Sequence, residues 1–381
     1  MKKILKTIFL CVSLPVFSLS AENLTQYVNP MIGTDGYGNV YPGAQIPFGG
    51  IQISPDTDAK FYDAAAGYKY NHTSILGFSL THLSGTGIPD LGDFLFIPGT
   101  GEMKLDPGKR ENPTEGYRSR YSHDREWASP NYYAVELSDY GVKAEMTAGL
   151  RSGMFRFTYP KSEQAFIMID MNHTLWQSCE WSNLRMENDS TLTGYKLVKG
   201  WGPERHVYFT AVFSKKLKNL RFMQDKKPVI YNTSRFRSCY EAWRKNLMAC
   251  ISFEAAEGEE IIVKTAVSAV STAGATLNLQ ELNGMTFDSL REKGVSLWEQ
   301  ELAKYQIEAE SLSNLAPTTL IVDCFLKRLI LFLHSTNHRH HLVPVRCMSV
   351  RSIPDLQLHT ILLFCPEEIL SVRVPLPVGW Q

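Results

Sequence analysis

Apolar and polar residues alternate over much of the first two-thirds of the chain. Residues 131–160, NYYAVELSDYGVKAEMTAGLRSGMFRFTYP, show three such runs separated by the polar turns SDYG and RSG. A two-residue period is typical of strands that bury one face. The pattern recurs in residues 204–217 and 248–271, the second with a glycine-centred turn at Gly258. Because strands follow strands without helical crossovers, we predict an all-β fold, an antiparallel β-sandwich over residues 21–275.

The pattern changes at residues 284–308, GMTFDSLREKGVSLWEQELAKYQIE. Apolar residues now recur at spacings of three and four, which predicts an amphipathic helix of about five turns that begins after a Thr286 cap. Its apolar face comprises Phe287, Leu290, Gly294, Trp298, Leu302 and Tyr305. Residues 276–311 are therefore predicted to form a helical linker.

Residues 312–381 have a different composition. Only one of the 26 glycines, Gly379, and none of the 17 tyrosines lie after Ser311. Neither a helical period nor alternation is sustained, so we expect an irregular tail and assign no domain there. Two interpretations remain open, a native tail and translation in a shifted reading frame, and the composition favours the second.

The N-terminus, residues 1–20, has the pattern of a secretory signal peptide. Basic residues come first, a mostly apolar run follows, and Ser18 and Ser20 supply small residues for cleavage after Ser20. We therefore expect an exported protein, either periplasmic or secreted. The apolar run of residues 320–333 is interrupted by Asp323, Lys327 and Arg328, so no membrane span is expected there.

Charge narrows the class of partner. The chain has 39 basic and 39 acidic residues and no formal net charge. Bulk electrostatic attraction to nucleic acid is therefore not expected, and a neutral polar ligand fits better.

The polar loop GFSLTHLSGTGIPDLGD, residues 77–93, is one candidate binding segment. Gly85 and Gly87 flank Thr86 and follow Ser84, so backbone N–H groups can converge where no Cβ obstructs a ligand. His82 both donates and accepts hydrogen bonds when neutral. This mixture suits sugar hydroxyls, although a tight loop that satisfies only its own backbone has the same composition.

Other polar segments offer weaker candidates. Asp90 and Asp93 could form a glycosidase carboxyl pair, but their spacing favours turn contacts or a cation. The segment GTDGYGN, residues 33–39, is a second glycine-rich loop. Trp201, in KGWGPERH, is either a sugar-stacking ring or a core side chain.

Several motifs together resemble glycoside hydrolase family 92. They are YVNPMIGT, GNVYPGAQIPFGGIQISPDT, AGYKYNHTSILGFSLTHLSGTGIPDLGDF, REWASPNYYAVEL and GVKAEMTAGLRSGMFRFTYP. The resemblance runs in order from Tyr27 to near Ser311. It implies an exported, calcium-dependent, exo-acting α-mannosidase. Such an enzyme has an N-terminal β-sandwich, a helical linker and a C-terminal barrel of paired helices. The barrel supplies the catalytic carboxyl groups and most of the calcium site.

The resemblance also assigns roles to residues. THLSGTG resembles a loop that faces the sugar cleft, and GTDGYGN resembles a second one. The substrate-binding candidates are Asp35, Gly36, His82, Ser84, Gly85, Thr86 and Gly87. The resemblance ends before the barrel, so no catalytic or metal-binding residue is assigned, and calcium is expected in the intact enzyme rather than in this chain.

The expected function is thus one wall of a cleft for mannose-containing glycans. The intact enzyme would hydrolyse terminal α-mannosides with inversion, whereas this chain is expected to be truncated and inactive. The alternative is a freestanding, weak carbohydrate-binding module.

Overall fold

The computed structural model describes residues 23–59, 64–230 and 240–304, together with the backbone of four later strands. The predicted signal peptide, residues 1–20, lies outside the described residues. Strands are numbered along the chain. None of the helices within these ranges is long and apolar enough to cross a bilayer.

Two antiparallel sheets dominate the described residues. The first has seven strands, β1 (Ser54–Asp56), β3 (Gly77–Ser79), β4 (Leu95–Thr100), β10 (Ser162–Asp170), β14 (Asn219–Gln224), β15 (Lys227–Pro228) and β17 (Leu247–Ala255). Their spatial order is β1-β3-β4-β10-β17-β14-β15. Separately, β2 (Ser74–Ile75) pairs with β5 (Ser119–Arg120).

The second sheet has nine strands. They are β6 (Glu126–Ser129), β7 (Tyr132–Leu137), β8 (Val142–Ala148), β9 (Ser152–Tyr159), β11 (Ser178–Asn188), β12 (Thr191–Lys199), β13 (Arg205–Phe213), β16 (Tyr240–Arg244) and β18 (Glu259–Ser268). Their order is β16-β11-β12-β13-β18-β9-β8-β7-β6. The β-rich architecture predicted from alternation is confirmed.

The core lies between the two sheets. Phe96 of β4 contacts Phe155 of β9, with ring centroids 4.9 Å apart, and Phe94 lies 4.5 Å from Phe209 of β13. These rings are fully buried. The predicted turn at Gly258 connects β17 to β18 with a φ of +73°, a conformation that glycine adopts without a steric penalty.

Two helices follow the sheets, α1 (Thr272–Asn278) and α2 (Phe287–Leu302). Thr286 caps α2 through a reciprocal bond pair with Ser289, as a capping box requires. The predicted apolar face is buried at Phe287, Leu290, Gly294, Trp298 and Leu302. The helix ends at Leu302, and Tyr305 lies outside the described residues.

Ion pairs hold α2 against the second sheet. Arg156 of β9 donates to Glu145 of β8 at 2.9 Å from two of its nitrogens, and it contacts Asp288 of α2 at 3.2 Å. At the other end of the helix, Trp298 Nε1 donates to the carbonyl of Gln45 at 2.8 Å. The helix is therefore a fixed part of the sandwich surface.

The tail contributes three strands to a four-stranded antiparallel sheet, and the fourth, β19 (Gln306–Glu308), lies in residues 276–311, where the sequence predicted a helical linker. The tail strands are β20 (Cys347–Ser352), β21 (Leu358–Cys365) and β22 (Glu368–Pro375), and the order in the sheet is β19-β22-β21-β20. The backbone there is regular, where the sequence pattern predicted an irregular tail. Apolar and β-branched runs such as residues 358–365 favour extended backbone even without alternation. The remainder of residues 312–381 lies outside the described residues, and the shifted reading frame stays a prediction.

Candidate functional site

The two glycine-rich loops identified in the sequence lie against each other. The N–H of Gly85 donates to the carbonyl of Asn39 at 2.6 Å. Gly85 and Gly87 have φ values of +72° and +67°, in the left-handed region that favours glycine. A Cβ at Gly87 would lie 3.5 Å from Asn39 Nδ2. The structure thus joins residues 33–39 and 82–87 into one surface.

Asp35 and Gly36 form an exposed turn in the first loop. The Gly36 N–H donates to Asp35 Oδ1 at 2.8 Å, and the Lys69 ammonium donates to the Gly36 carbonyl. Lys69 Nζ lies 3.8 Å from Asp35 Oδ1. The Asp35 side chain is 54% exposed, so part of its carboxylate remains accessible from solvent.

Ser84 and Thr86 differ in how their hydroxyls are used. Thr86 Oγ1 donates to the carbonyl of Ile88 at 2.9 Å, which stabilises the local turn. Ser84 Oγ is buried and has no hydrogen-bond partner among the described residues. An unsatisfied buried hydroxyl is uncommon and often marks a site where a ligand or water binds.

His82 is buried beneath this surface rather than exposed on it. Its Nε2 lies 2.8 Å from Asp56 Oδ1, and its Nδ1 lies 2.8 Å from the carbonyl of Gln52. Both ring nitrogens of His82 are therefore used by contacts inside the protein. In this geometry His82 holds the loop in place, and a direct contact with sugar stays a prediction.

Asp56 connects two histidines. Its second oxygen, Oδ2, lies 2.7 Å from Nε2 of His173, and all three side chains are buried. Burial alone would raise the pKa of Asp56, but the adjacent His82 and the hydrogen bonds from both rings outweigh it and hold the pKa well below its usual range. Asp56 is therefore a structural anion.

Asp93 is the centre of a buried ion pair. Lys196 Nζ lies 3.0 Å from Oδ1, the Arg205 guanidinium contacts both oxygens, and Thr81 Oγ1 donates to Oδ2 at 2.7 Å. Burial alone would raise the pKa of Asp93. The charges of Lys196 and Arg205 outweigh burial and hold the pKa well below its usual range. Lys196 also donates to the carbonyl of His173 at 2.6 Å, which links the two clusters.

The Asp90 side chain does not form a catalytic pair with Asp93. Asp90 Oδ1 accepts from the N–H of Leu91 at 2.6 Å, a local turn contact of the kind the sequence favoured. Both oxygens of Asp93 are used by its cationic partners and Thr81. A glycosidase carboxyl must donate or accept a proton, and neither group is arranged to do so.

A cavity of about 760 Å³ opens beside the loop and is lined in part by residues that the sequence analysis missed. Among them are His173, Trp176 and Gln177. Gln177 Nε2 donates to the carbonyl of Pro89 at 3.0 Å, so the cavity wall contacts the loop directly. Trp176 is 54% exposed and has a φ of +62°, which is unusual for a bulky residue and occurs most often at functional sites. The segment HTLWQ, with its histidine and tryptophan, was the signal for these residues.

Five carboxylates line this cavity, and four of them have structural partners: Asp58, Asp106, Asp170 and Asp225. The fifth, Glu111, is exposed to solvent. Asp58 Oδ2 lies 3.0 Å from Arg110 Nε, and Asp170 Oδ2 accepts from the Tyr117 hydroxyl at 3.1 Å. Across the described residues, the carboxyl groups whose pKa clearly departs from the ordinary value all shift downward: Asp56, Asp93, Asp139, Glu145, Glu180 and Glu259. A general acid requires the opposite shift.

The described residues do not assemble a metal centre. No three His, Cys, Asp or Glu side chains within them converge closely enough to hold an ion. Calcium in the intact enzyme therefore stays a prediction, and no chemical step is assigned to it.

Comparison with known proteins identifies the family. The model described as the glycosyl hydrolase family 92 N-terminal domain matches residues 27–268. The chain belongs to this family. It is 80% identical to a solved family 92 α-mannosidase from Bacteroides thetaiotaomicron, determined in complex with mannoimidazole. That match has a TM-score of 0.74 and covers 76% of this chain and 38% of the mannosidase.

Two further relatives of this family 92 chain are more distant. A family 92 inverting mannosidase from Bacteroides thetaiotaomicron VPI-5482 shares the fold at 22% identity and a TM-score of 0.68, over 81% of this chain and 40% of that one. An uncharacterized secreted glycosidase from Arthroderma benhamiae is 30% identical over 36% of this chain and 18% of its own length. The chain thus spans less than half the length of these relatives.

Proposed function

We propose that this chain forms one wall of a cleft that binds mannose-containing glycans in a family 92 α-mannosidase. The observation that carries the proposal is the hydrogen bond between Gly85 and Asn39, which joins the two predicted loops. On the joined surface, the partly exposed Asp35 carboxylate accepts hydrogen bonds and the buried Ser84 hydroxyl lacks a partner among the described residues. Sugar hydroxyls donate hydrogen bonds, so they complement the exposed Asp35 carboxylate.

The seven candidate residues then divide into two roles. Asp35, Gly36, Ser84, Gly85, Thr86 and Gly87 form the surface that contacts sugar. His82, fixed by Asp56 and Gln52, supports that surface from below. The relatives described as mannosidases support mannose as the sugar.

Hydrolysis is not expected from this chain alone. Inverting hydrolysis needs one carboxyl group to protonate the leaving oxygen and a second to activate water. The clearly shifted carboxyl groups in the described residues are all stabilised as anions. Of the five carboxylates that line the cavity, four, among them Asp58 and Asp170, are held by structural partners, and the fifth, Glu111, is exposed to solvent.

An NMR titration of the purified chain with α-mannobiose tests the binding proposal. We expect amide shift changes confined to residues 33–39 and 82–87, with a dissociation constant weaker than about 1 mM because half a cleft buries little of the ligand. Asp35→Ala should remove most of the changes. Asp189→Ala is the matched control, since Asp189 is another exposed aspartate paired with a lysine, Lys216 at 2.7 Å.

Three results would count against the proposal or part of it. The absence of loop shifts at saturating mannobiose would contradict the cleft. Submillimolar binding by the isolated chain would favour a freestanding module instead. Release of mannose from mannobiose in calcium-containing buffer would contradict inactivity.

We also propose that the chain is exported. Its basic and apolar N-terminus and a curated relative described as a secreted glycosidase support this. Mass spectrometry of fractionated cells should find a mature N-terminus at Ala21 in the periplasm or medium. An intact Met1 peptide confined to the cytoplasm would contradict export.

A further inference from the structure

The outward face of the nine-stranded sheet carries a row of large side chains. The strand register aligns Trp243 of β16, Asn183 of β11, Tyr195 of β12 and Tyr208 of β13. Ala242, the neighbour of Trp243 along β16, packs into the core between the sheets. Because side chains alternate along a strand, the row faces away from the core.

The rings of this row pack into a continuous surface. Tyr195 lies with its ring centroid 4.8 Å from that of Tyr208 and 6.1 Å from that of Trp243. His206 adds a fourth ring, stacked 5.9 Å from Tyr195 at an interplanar angle of 20°. Trp243 is 46% exposed. We call Trp243, Tyr195, Tyr208 and His206 the aromatic platform.

Hydrogen bonds fix the rings in position. Trp243 Nε1 donates to Glu241 Oε1 at 2.8 Å, and Asn183 Nδ2 donates to the same oxygen at 3.0 Å. The Tyr195 hydroxyl and His206 Nδ1 are 3.0 Å apart. Rings that are already oriented lose little side-chain entropy when a ligand binds.

The aromatic platform begins at the point on β13 where helix α1 no longer packs on the sheet. Thr210, two residues beyond Tyr208 on β13, is buried, and its hydroxyl lies 2.9 Å from that of Thr276 in α1. At the other end of the platform, His206 follows Arg205. The Arg205 guanidinium contacts Asp93, the last residue of the polar loop of residues 77–93, which we call the cleft loop. Because neighbouring side chains on a strand point to opposite faces, Arg205 contacts Asp93 on one face of the sheet while the platform lies on the other, so the platform is separate from the proposed cleft.

Charged side chains surround the platform. Arg185 lies 3.1 Å from Glu187 and 3.6 Å from Glu241, and His206 Nε2 lies 3.9 Å from Glu204. These three carboxylates outnumber the single arginine, so an anionic ligand is disfavoured. A neutral pyranose ring presents an apolar C–H face to the aromatic rings and hydroxyls to the polar side chains beside them.

We propose that the aromatic platform is a second carbohydrate-binding site, which takes a neutral pyranose glycan by stacking. It is separate from the cleft loops, and its ligand class follows from its own chemistry.

Affinity electrophoresis of the full chain tests this proposal, with yeast α-mannan or barley β-glucan cast into native gels. The wild-type chain should be retarded by at least one polymer. Trp243→Ala and Tyr195→Ala should each weaken the apparent affinity about tenfold, while Trp243→Phe retains most of it. Trp127→Ala is the matched control: Trp127, on β6 at the opposite edge of the same sheet, is also 46% exposed. Circular dichroism checks that each variant is folded.

Several outcomes would overturn the platform. The first is that neither polymer retards the wild-type chain. The second is that Trp243→Ala is retarded as strongly as the wild-type chain. The third is that Trp127→Ala loses as much apparent affinity as Trp243→Ala. Sedimentation velocity adds one more: a wild-type dimer that Trp243→Ala dissociates would make a second copy of the chain the occupant. The cleft is proposed to bind mannose, so Asp35→Ala should leave retardation by barley β-glucan unchanged, and failure of the cleft and failure of the platform can be distinguished.

Discussion

Asp56 and His82 form a fully buried hydrogen-bonded pair, with Oδ1 and Nε2 2.8 Å apart. The pair connects β1 to the loop that carries Ser84 and Gly85. His173 contacts the other oxygen of Asp56 at 2.7 Å, so the same carboxylate also holds the segment that borders the cavity. The position of the candidate sugar-binding surface thus depends on one anion in the interior.

Replacing Asp56 with alanine should therefore destabilise the chain strongly. The variant leaves two buried imidazoles without their acceptor, and each buried polar group that loses its hydrogen-bond partner costs about 1–3 kcal/mol. Urea unfolding followed by tryptophan fluorescence measures the change. Asp124→Ala, at an exposed aspartate, is the control. A loss no larger than that of the control would show that the histidines do not depend on Asp56.

Glu145 gives a prediction about pH. Burial raises its pKa, but hydrogen bonds from Arg156 and Tyr132 outweigh burial and lower the pKa to about 2. The pKa of Glu145 in the folded chain lies below its ordinary value of 4.5. The ionised carboxylate therefore contributes its full stabilisation of the folded state above pH 4.5, and this stabilisation is lost as the pH falls towards 2. Glu145→Gln should lower the free energy of unfolding by about 3 kcal/mol at neutral pH.

The measurement is a set of denaturant titrations of wild type and Glu145→Gln from neutral pH to about pH 2. The two curves should converge at the acid end, because the wild-type carboxyl is then protonated as well. A difference that stays constant over the whole range would mean that Glu145 contributes by packing and not by charge.

Local pattern predicted the elements of the fold but not the contacts between them. Alternation around Val135 and Phe155 is a property of neighbouring residues, and both are buried as expected. The bond from His173 to Asp56 spans 117 positions, so nothing in either segment indicates it. The aromatic platform depends on strand register, which a two-residue period does not specify between distant strands. Trp201 is 69% exposed, which excludes the core interpretation that the sequence left open.

Gly294 shows the same limit within α2. The sequence predicted a helix that tolerates one glycine, whereas the structure shows why a side chain does not fit. A Cβ there would lie 1.8 Å from Nδ2 of Asn131. Asn131 is itself fixed, since its Oδ1 accepts from the N–H of Ala148 at 3.1 Å and its Nδ2 donates to Thr147 Oγ1 at 3.0 Å.

Gly294→Ala should consequently destabilise the chain although alanine favours helix. Forcing a side chain into a packed interface costs about 1–3 kcal/mol, against a gain in helix propensity of up to about 1 kcal/mol. Thermal unfolding should show a lower midpoint than wild type. Lys293→Ala, one position earlier and exposed, should leave the midpoint unchanged or raise it slightly. A higher midpoint for Gly294→Ala would mean that α2 shifts freely on the sheet.

Lys196 and Arg205 both neutralise Asp93, but they should not be equivalent. Lys196 is fully buried and also donates to the His173 carbonyl, whereas the Arg205 side chain is 26% exposed, so water screens it. Lys196→Met should cost about 3 kcal/mol or more, and Arg205→Met should cost less. Urea unfolding of both single variants shows which of them loses more free energy of unfolding.

A double-mutant cycle then separates the ion pair from packing. Asp93→Asn in the Lys196→Met background should cost less than Asp93→Asn alone, because the charge that Asp93 neutralises has already been removed. The Arg205→Met background should show a smaller coupling, in line with its exposure. Additive costs in the Lys196 cycle would mean that the 3.0 Å contact contributes little net free energy, and that the cleft loop is positioned by Thr81 and the Asp56 histidines instead.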